Sequence, residues 1–310
     1  MIHGILNVQK EKGYTSHDVV AKLRGITGQR KIGHTGTLDP DADGVLPVCL
    51  GRATRLCDMI TDRDKTYETV LLLGRITDTQ DAGGKTLQTS DTSGLQKEDV
   101  CRVAEGFTGE YAQIPPMYSA LKVNGRKLYE LAREGKEVER KARKVRIFGI
   151  EILKSELPRV RMRVKCSKGT YIRTLCHDIG ERLGCGGCME ELTRTCVGRF
   201  SLEESLTLDR IAEKYRDGSL SDVLVPMDRM FDDYPGMTVR EPWESLAKNG
   251  NPLPGEAFCD NSDPRGWKAA SSGEDPDYVR IYDEKGRFIA VCRWQKEKEE
   301  YRIIKMFYVE

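Results

Sequence analysis

A carboxylate held between backbone constraints is the first feature of this chain that suggests chemistry. In Gly33-His34-Thr35-Gly36-Thr37-Leu38-Asp39-Pro40, two glycines permit tight turns and Pro40 biases Asp39 toward extended backbone. A short side chain is thereby presented at a fixed angle from a stiff loop. Such a carboxylate can attack or stabilise an electron-poor carbon, although a loop aspartate also serves as an ordinary turn former or cap. Asp39-Pro-Asp41-Ala-Asp43-Gly44 imitates the first half of a calcium loop as well. The second half does not follow, because Leu50 stands where a bidentate glutamate is required and Pro47 interrupts the loop.

Other site chemistries find less support. The four histidines, His3, His17, His34 and His177, form no HxH or HExxH cluster, and no GxSxG elbow is present. Ten cysteines are scattered without a disulfide framework and read as reduced thiols. Cys176-His177, Cys185-Gly-Gly-Cys188 and Cys196 offer zinc-type donors. Structural zinc usually needs two paired ligand motifs, however, and here there is one CxxC, with His177 inside an expected helix. No metal site is expected.

The elements that must position Asp39 can be read from hydrophobic periodicity. Gly4 to Val8 reads as a strand, followed by a short helix capped by Ser16 with Val19, Val20 and Leu23 on its inner face. Thr66 to Leu73 is β-rich, and the polar stretch from Thr77 to Gly94 reads as a long, functional loop. Val145 to Leu153 reads as a strand. In Arg159 to Cys166, Val160, Met162, Val164 and Cys166 alternate with Arg159, Arg161, Arg163 and Lys165, which predicts a sheet with one basic face. Ile172, Leu175, Cys176, Ile179 and Leu183 then recur at helical spacing until Gly184. After Tyr234-Pro-Gly236 comes a loop-rich stretch and then YVRIY, RFIAVCRW and YRIIKMFYV, short strands around a turn at Asp283 to Gly286.

Composition narrows the class. With 310 residues, two domains are expected; with 38% hydrophobic and 32% charged residues, disorder and collagen are excluded and a wet-surfaced globular chain is implied. The longest aliphatic run, Val70 to Leu73, is far short of the ~20 residues that cross a bilayer. The first fifteen residues lack a secretory leader pattern, so a cytoplasmic location is expected. A net charge of +1 conceals an uneven distribution: residues 122–146 hold ten Lys/Arg against four Glu, and residues 201–238 hold nine acids against four bases. Screening confines each charge to roughly 10 Å, so the basic segment can track phosphates within a neutral chain, or simply be a solvated face.

Several separated segments resemble, in order and spacing, the TruB family of tRNA pseudouridine synthases, whose GHTGxLDP loop carries a catalytic aspartate. Besides Gly33 to Pro40 they are Gly44-Val-Leu-Pro47, Gly51-Arg-Ala-Thr-Arg55, Lys65-Thr-Tyr67, Gly74-Arg-Ile-Thr-Asp-Thr79 with Asp81, Gln113 to Lys122, and Cys166 to Thr174. The resemblance covers roughly residues 3 to 200, and the tail looks like the family's small PUA-like C-terminal domain. It implies a mixed α/β (α+β) pseudouridine synthase fold on a largely antiparallel sheet. A catalytic domain over 1–233, with a thumb-like RNA-binding insertion at about 117–146, would be followed by a β domain over 234–310.

The reaction it implies breaks the N1 to C1′ bond of a uridine, turns the base and joins C5 to C1′, with no cofactor or metal. Asp39 then matches the catalytic aspartate, Arg173 its partner arginine and Tyr67 the tyrosine that stacks on the base. Taken alone, Arg173 would be a surface helix arginine and Tyr67 an ordinary strand aromatic. Tyr171 and Leu192 match positions that contact the flipped uridine, His34 one against the displaced nucleotide region, and Asp81 a polar residue near the pocket. Lys122, Arg126, Lys127, Arg133, Lys141, Arg143 and Lys144 are the candidate phosphate contacts of the thumb. Asp41 and Asp43 depart from the family pattern and are expected to raise the Asp39 pKa or to face water. The expected substrate is uridine 55 in the T arm of tRNA, converted by a monomer that needs no protein partner and no membrane. A noncatalytic RNA-binding or tRNA-folding protein on the same scaffold, or a synthase for another RNA, are the alternatives.

Overall fold

Helix α1 (Ser16–Thr27) follows strand β1 (Gly4–Lys10), and its start is set one residue earlier than the sequence suggested. Thr15 is the cap: its hydroxyl accepts from the Asp18 amide at 3.1 Å, while the Asp18 carboxylate accepts from the Thr15 amide at 2.8 Å. Ser16 turns inward instead, and its hydroxyl accepts from the Leu38 amide at 3.0 Å, tying the helix to the loop that carries Asp39. The computed structural model describes residues 1–123, 125–259 and 278–309.

Strands β2 (Ile32–His34) and β3 (Asp43–Leu50) bracket the Asp39 loop, with β1 antiparallel to β3 from Gly4 opposite Leu50 to Lys10 opposite Gly44. Then come α2 (Cys57–Thr61) and β4 (Lys65–Leu73), whose alternate residues are buried. The stretch expected to be loop contains a hairpin of β5 (Arg75–Thr77) and β6 (Thr86–Thr89). Helix α3 (Lys97–Glu105) and β7 (Gly109–Gln113) lead into the thumb-like segment. That segment is a two-residue-per-arm hairpin, β8 (Lys122–Val123) and β9 (Arg126–Lys127), with a short helix, α4 (Leu128–Arg133). Strands β10 (Arg143–Glu156) and β11 (Arg159–Cys166), helix α5 (Ile172–Arg182), β12 (Gly187–Val197), β13 (Phe200–Ser201) and α6 (Leu208–Arg216) follow.

Nine strands form one mixed sheet with the path β1-β3-β12-β4-β11-β10-β7, with β2 added on β3 and β13 on β12. All its pairings are antiparallel except β3 with β12, where Asp43 and Gly44 meet Thr193 and Arg194. One face of β4, β10 and β11 packs on α3 and α5 through Leu71, Val160, Met162, Leu175 and Ile179. Helices α1 and α6 cover β1 and β3 through Val19, Leu23, Val48 and Ile211. The apolar half of the β11 alternation is fully buried, as its period predicts.

The other half is not a basic face. Arg159 pairs with Glu190 at 2.7 Å, Arg161 with Glu191 at 3.7 Å, and Arg163 with both Glu68 at 2.9 Å and Glu151 at 2.8 Å. The glutamates come from β4, β10 and β12, so strand pairing supplies acids that the sequence of β11 could not reveal.

Strands β14 (Gly236–Thr238), β15 (Leu253–Pro254), β16 (Tyr278–Tyr282), β17 (Phe288–Gln295) and β18 (Glu300–Met306) form a second sheet, order β14-β16-β17-β18-β15, with helix α7 (Glu241–Lys248) before β15. Much of the loop-rich stretch expected before β16, residues 260–277, lies outside the described residues. An apolar cluster containing Ile5, Val45, Phe231, Val291 and Phe307 crosses the proposed boundary at 233/234. The second sheet is therefore packed on the first rather than tethered to it. No helix among the described residues is long and apolar enough to cross a membrane.

Candidate active site

The loop between β2 and β3 is rigid for identifiable reasons. Thr35 binds the Pro47 carbonyl through both its amide and its hydroxyl at 3.1 Å, Leu38 is buried, and the Ala42 amide donates to the Asp39 carbonyl at 3.1 Å. Lys10, whose side chain is inaccessible, donates to the Pro40 carbonyl at 3.1 Å and to those of Tyr14 at 2.6 Å and Glu11 at 3.1 Å. Asp39 is thus held through both neighbours: Leu38 by Ser16 and Pro40 by Lys10.

Arg173 reaches this carboxylate from the first turn of α5. Its Nε lies 3.1 Å from Asp39 Oδ2 and its Nη2 3.2 Å from Oδ1, a two-pronged pair. The same guanidinium donates to the carbonyls of Tyr118 at 2.8 Å and Thr79 at 3.3 Å and meets Asp81 Oδ2 at 3.4 Å. The Arg173 side chain is 7% exposed and that of Asp39 is 39% exposed, so the cation is sealed beneath a carboxylate that faces the opening. Burial pushes the Asp39 carboxyl up. Arg173 pulls it back, Asp81 pushes it up further, Lys10 lowers it, Asp41 raises it, and the net shift is upward. Of the two extra acids singled out in the sequence, Asp41 therefore bears on Asp39. Asp43 instead accepts from the Thr193 hydroxyl at 2.6 Å, and its charge acts on Lys10.

Tyr67 enters from β4 on the buried side of the alternation and is 8% exposed. Burial pushes its hydroxyl up to about 12, against the opposing charge of Arg194. Gln113 fixes the start of α5 by accepting from the Tyr171 amide at 2.7 Å and donating to its carbonyl at 3.0 Å. Asp39, Tyr67, Asp81, Tyr171, Arg173 and Leu192 all line one cavity of about 1100 Å³, slightly above the ~300–1,000 Å³ usual for ligand sites. Segments distant in sequence thus converge, among them Met189 and Arg194 of β12.

Not every expected residue lies there. His34 is outside the cavity lining; its ring meets His17 edge-on at 5.1 Å, and burial lowers its pKa to about 4. Of the thumb cations, Arg133, Arg143 and Lys144 border the cavity and are joined by Lys168 from the turn after β11. Lys122 and Lys141 are exposed and away from it. Arg126 is paired with Glu134, and Lys127 lies 5.4 Å from the Tyr129 ring. Among the described residues no group of three or more His, Cys, Asp or Glu side chains could hold a metal ion.

Three contributors escaped the motif reading. Ser16 and Lys10 brace the loop, and Arg194, 1% exposed, lies under it. Arg194 donates from Nε to the Val45 carbonyl at 2.8 Å and from Nη2 to the Gly36 carbonyl at 3.2 Å, and it stands opposite Tyr67 in the ladder between β12 and β4, its charge acting on the Tyr67 hydroxyl. The available signal was its place two residues beyond Leu192, on the same face of β12.

Residues 24–172 match the model of the TruB family pseudouridylate synthase N-terminal domain, and residues 173–232 that of the tRNA pseudouridylate synthase B C-terminal domain. The chain is 51% identical to the tRNA pseudouridine synthase B of Lachnoclostridium phytofermentans, with 99% of this chain and 100% of that protein aligned. It is 43% identical to the protein of the same name from Clostridium tetani, over 98% and 99% of the two chains. Among solved structures it resembles a chain of a Cbf5-Nop10-Gar1 complex, with TM-score 0.71 and 28% identity over 99% of this chain and 85% of that one. A chain of an H/ACA RNP bound to a substrate RNA containing 2′-deoxyuridine aligns with TM-score 0.71 and 26% identity, over 99% and 86%.

Proposed function

The chain belongs to the TruB family of pseudouridylate synthases, and from that premise we propose that it isomerises uridine 55 in the T loop of tRNA to pseudouridine, with Asp39 as the reacting carboxylate. The observation that carries the assignment of Asp39 is its two-pronged pairing with the buried Arg173 in a cavity large enough to admit an extruded nucleotide.

A uridine within a folded loop cannot be reached in place, so it must be extruded, at a cost of a few kcal/mol that is offset by stacking and phosphate contacts. Tyr67 supplies the stacking face, and Tyr171 and Leu192 flank the base. The Asp39 carboxylate assists departure of N1 from C1′. The released base turns, C5 joins C1′, the C5 proton leaves to water, and N1 gains a proton. No redox change or external group enters that balance. Arg173 keeps Asp39 available as an anion at neutral pH despite its burial, and Asp81 shares the same guanidinium. Arg133, Arg143, Lys144 and Lys168 border the opening and are assigned to nearby phosphates. Lys122, Arg126, Lys127 and Lys141 are assigned to backbone further along the arm, and His34 to the displaced nucleotide region. The enzyme is read as a cytoplasmic monomer acting without a protein partner, with the catalytic domain ending near residue 233.

tRNA transcripts tritiated at uridine C5 test this directly, because formation of the new carbon–carbon bond releases the label. Wild-type protein should release it and Asp39→Asn should bind tRNA and release none. Binding without release by the wild type would leave a noncatalytic RNA-binding protein, and release from a transcript lacking the T-loop uridine would move the substrate elsewhere.

A further inference from the structure

We propose that Arg194 is a positioning residue for this reaction, one guanidinium that sets the Asp39 loop and the Tyr67 hydroxyl in a single fixed relation. The inference rests on the functional reading above and goes beyond it, because Arg194 belongs to none of the expected site residues.

Arg194 is among the largest fully buried side chains of the described residues, and burying an ionised group without a partner is costly. Its contacts are unusual for such a cation. Among the described residues it forms no ion pair; its donors go to two backbone carbonyls, and across the strand pair it faces the phenol of Tyr67. Those acceptors are not scattered. Gly36 lies where the loop leaves β2 and Val45 where the chain re-enters β3, so the two carbonyls bracket the segment that presents Asp39. Gly44 stands beside Val45 at φ +114, and a Cβ there would lie 2.2 Å from the Arg194 carbonyl oxygen. Backbone and side chain of Arg194 thus grip the same end of the loop.

The third contact is with Tyr67, the direct cross-strand partner of Arg194, which shares the cavity with Asp39. A guanidinium has only donors, so toward Arg194 the Tyr67 oxygen can only accept and its own proton must turn away. The hydroxyl is thereby oriented by a group that is itself almost wholly buried. A lysine could keep the charge but could not hold three acceptors in the plane of a fork. Retention of a buried cation at this point, where an apolar side chain would be cheaper, is explained by the geometry it imposes on its two neighbours.

The test measures tritium release and tRNA affinity for wild type, Arg194→Lys, Tyr67→Phe and the double variant, with melting curves for each. Arg194→Lys should lower kcat about 100-fold, the scale of a misplacement of about 1 Å, and change KM by no more than about threefold. The double variant should be no worse than the poorer single variant by more than about threefold, because both changes remove one shared bond. A wild-type kcat in Arg194→Lys, a loss confined to KM, or losses that multiply independently would each overturn the proposal. Should Arg194→Lys not fold, Arg194→Gln decides by the same readouts: a fall in kcat with KM within about threefold, and no further loss when Tyr67→Phe is added, supports the coupling, and a wild-type kcat refutes it. If wild-type protein releases no label, the functional reading fails and this proposal with it; a normal wild type beside a normal Arg194→Lys overturns the positioning role alone.

Discussion

Replacing Arg173 by methionine probes the centre of the site, because it deletes the charge while keeping an unbranched apolar stem. Asp39 loses both prongs of its pair, at 3.1 and 3.2 Å, and Asp81 loses its contact at 3.4 Å, leaving two carboxylates without their shared cation. Unit charges about 4 Å apart interact by about 4 kcal/mol at an effective dielectric of 20. The Asp39 side chain is 39% exposed, so water screens part of that and about 2–3 kcal/mol is the appropriate scale. If the transition state draws on the full charge of Asp39, the chemical step slows by roughly 30- to 150-fold at neutral pH. The sign of the pH effect follows from the same pair. Arg173 lowers the Asp39 pKa, so removing it raises that pKa, shrinks the anionic fraction at a given pH, and lets activity recover as pH increases. Single-turnover tritium release from saturated enzyme across pH 5–9 measures this. The acid limb of the variant should lie at higher pH than that of the wild type, whose own limb should lie above the ~4 of a solvated aspartate because burial dominates there. A near-normal rate with an unmoved acid limb would refute the electrostatic role of the pair.

Further outcomes follow from other parts of the molecule. Gly44→Ala places a methyl group 2.2 Å from the Arg194 carbonyl oxygen at a φ of +114, and should destabilise by at least about 2 kcal/mol, seen as a drop of several degrees in Tm. An unchanged Tm would contradict the close approach of β3 and β12. Substituting alanine for both Arg133 and Arg143 should weaken tRNA binding and lower the slope of log Kd against log salt by about 1.4 to 1.8, the release expected for two phosphate contacts. Arg126→Ala should alter that slope less, because Glu134 already neutralises this arginine; an equal effect would show that the pair opens on binding. Arg163→Ala, on the outer sheet face, should leave the slope unchanged, since Glu68 and Glu151 compensate that charge; a lower slope would restore the basic face as an RNA surface.

Features governed by local backbone chemistry were readable in advance. The constrained Asp39 loop, the two-residue period of β11 and the helical period of α5 each depend on neighbours within a few positions, and the structure reproduces them. The cap of α1 was misplaced by one residue because Thr15 and Ser16 can both serve. The choice fell to burial of Ser16 against Leu38, twenty-two residues away. The polar stretch after Thr77 concealed the second arm of a hairpin, β6, which is exposed on both sides, so no hydrophobic alternation announced it. Tyr67 and Arg173 were singled out by resemblance rather than by pattern, since a buried aromatic on a strand and an arginine on a helix are commonplace.

Local sequence was enough to say which carboxylate the backbone constrains and which segments form strands and helices. It could not say which charges meet. The acids that silence Arg159, Arg161 and Arg163, the guanidinium shared by Asp39 and Asp81, the grip of Arg194 on Gly36 and Val45 and its place opposite Tyr67 all arise between strands or loops far apart in the chain. Coulomb and hydrogen-bond energies fall off over a few ångströms of space, not of sequence, so the electrostatics of the site exist only once strand pairing has brought those groups together.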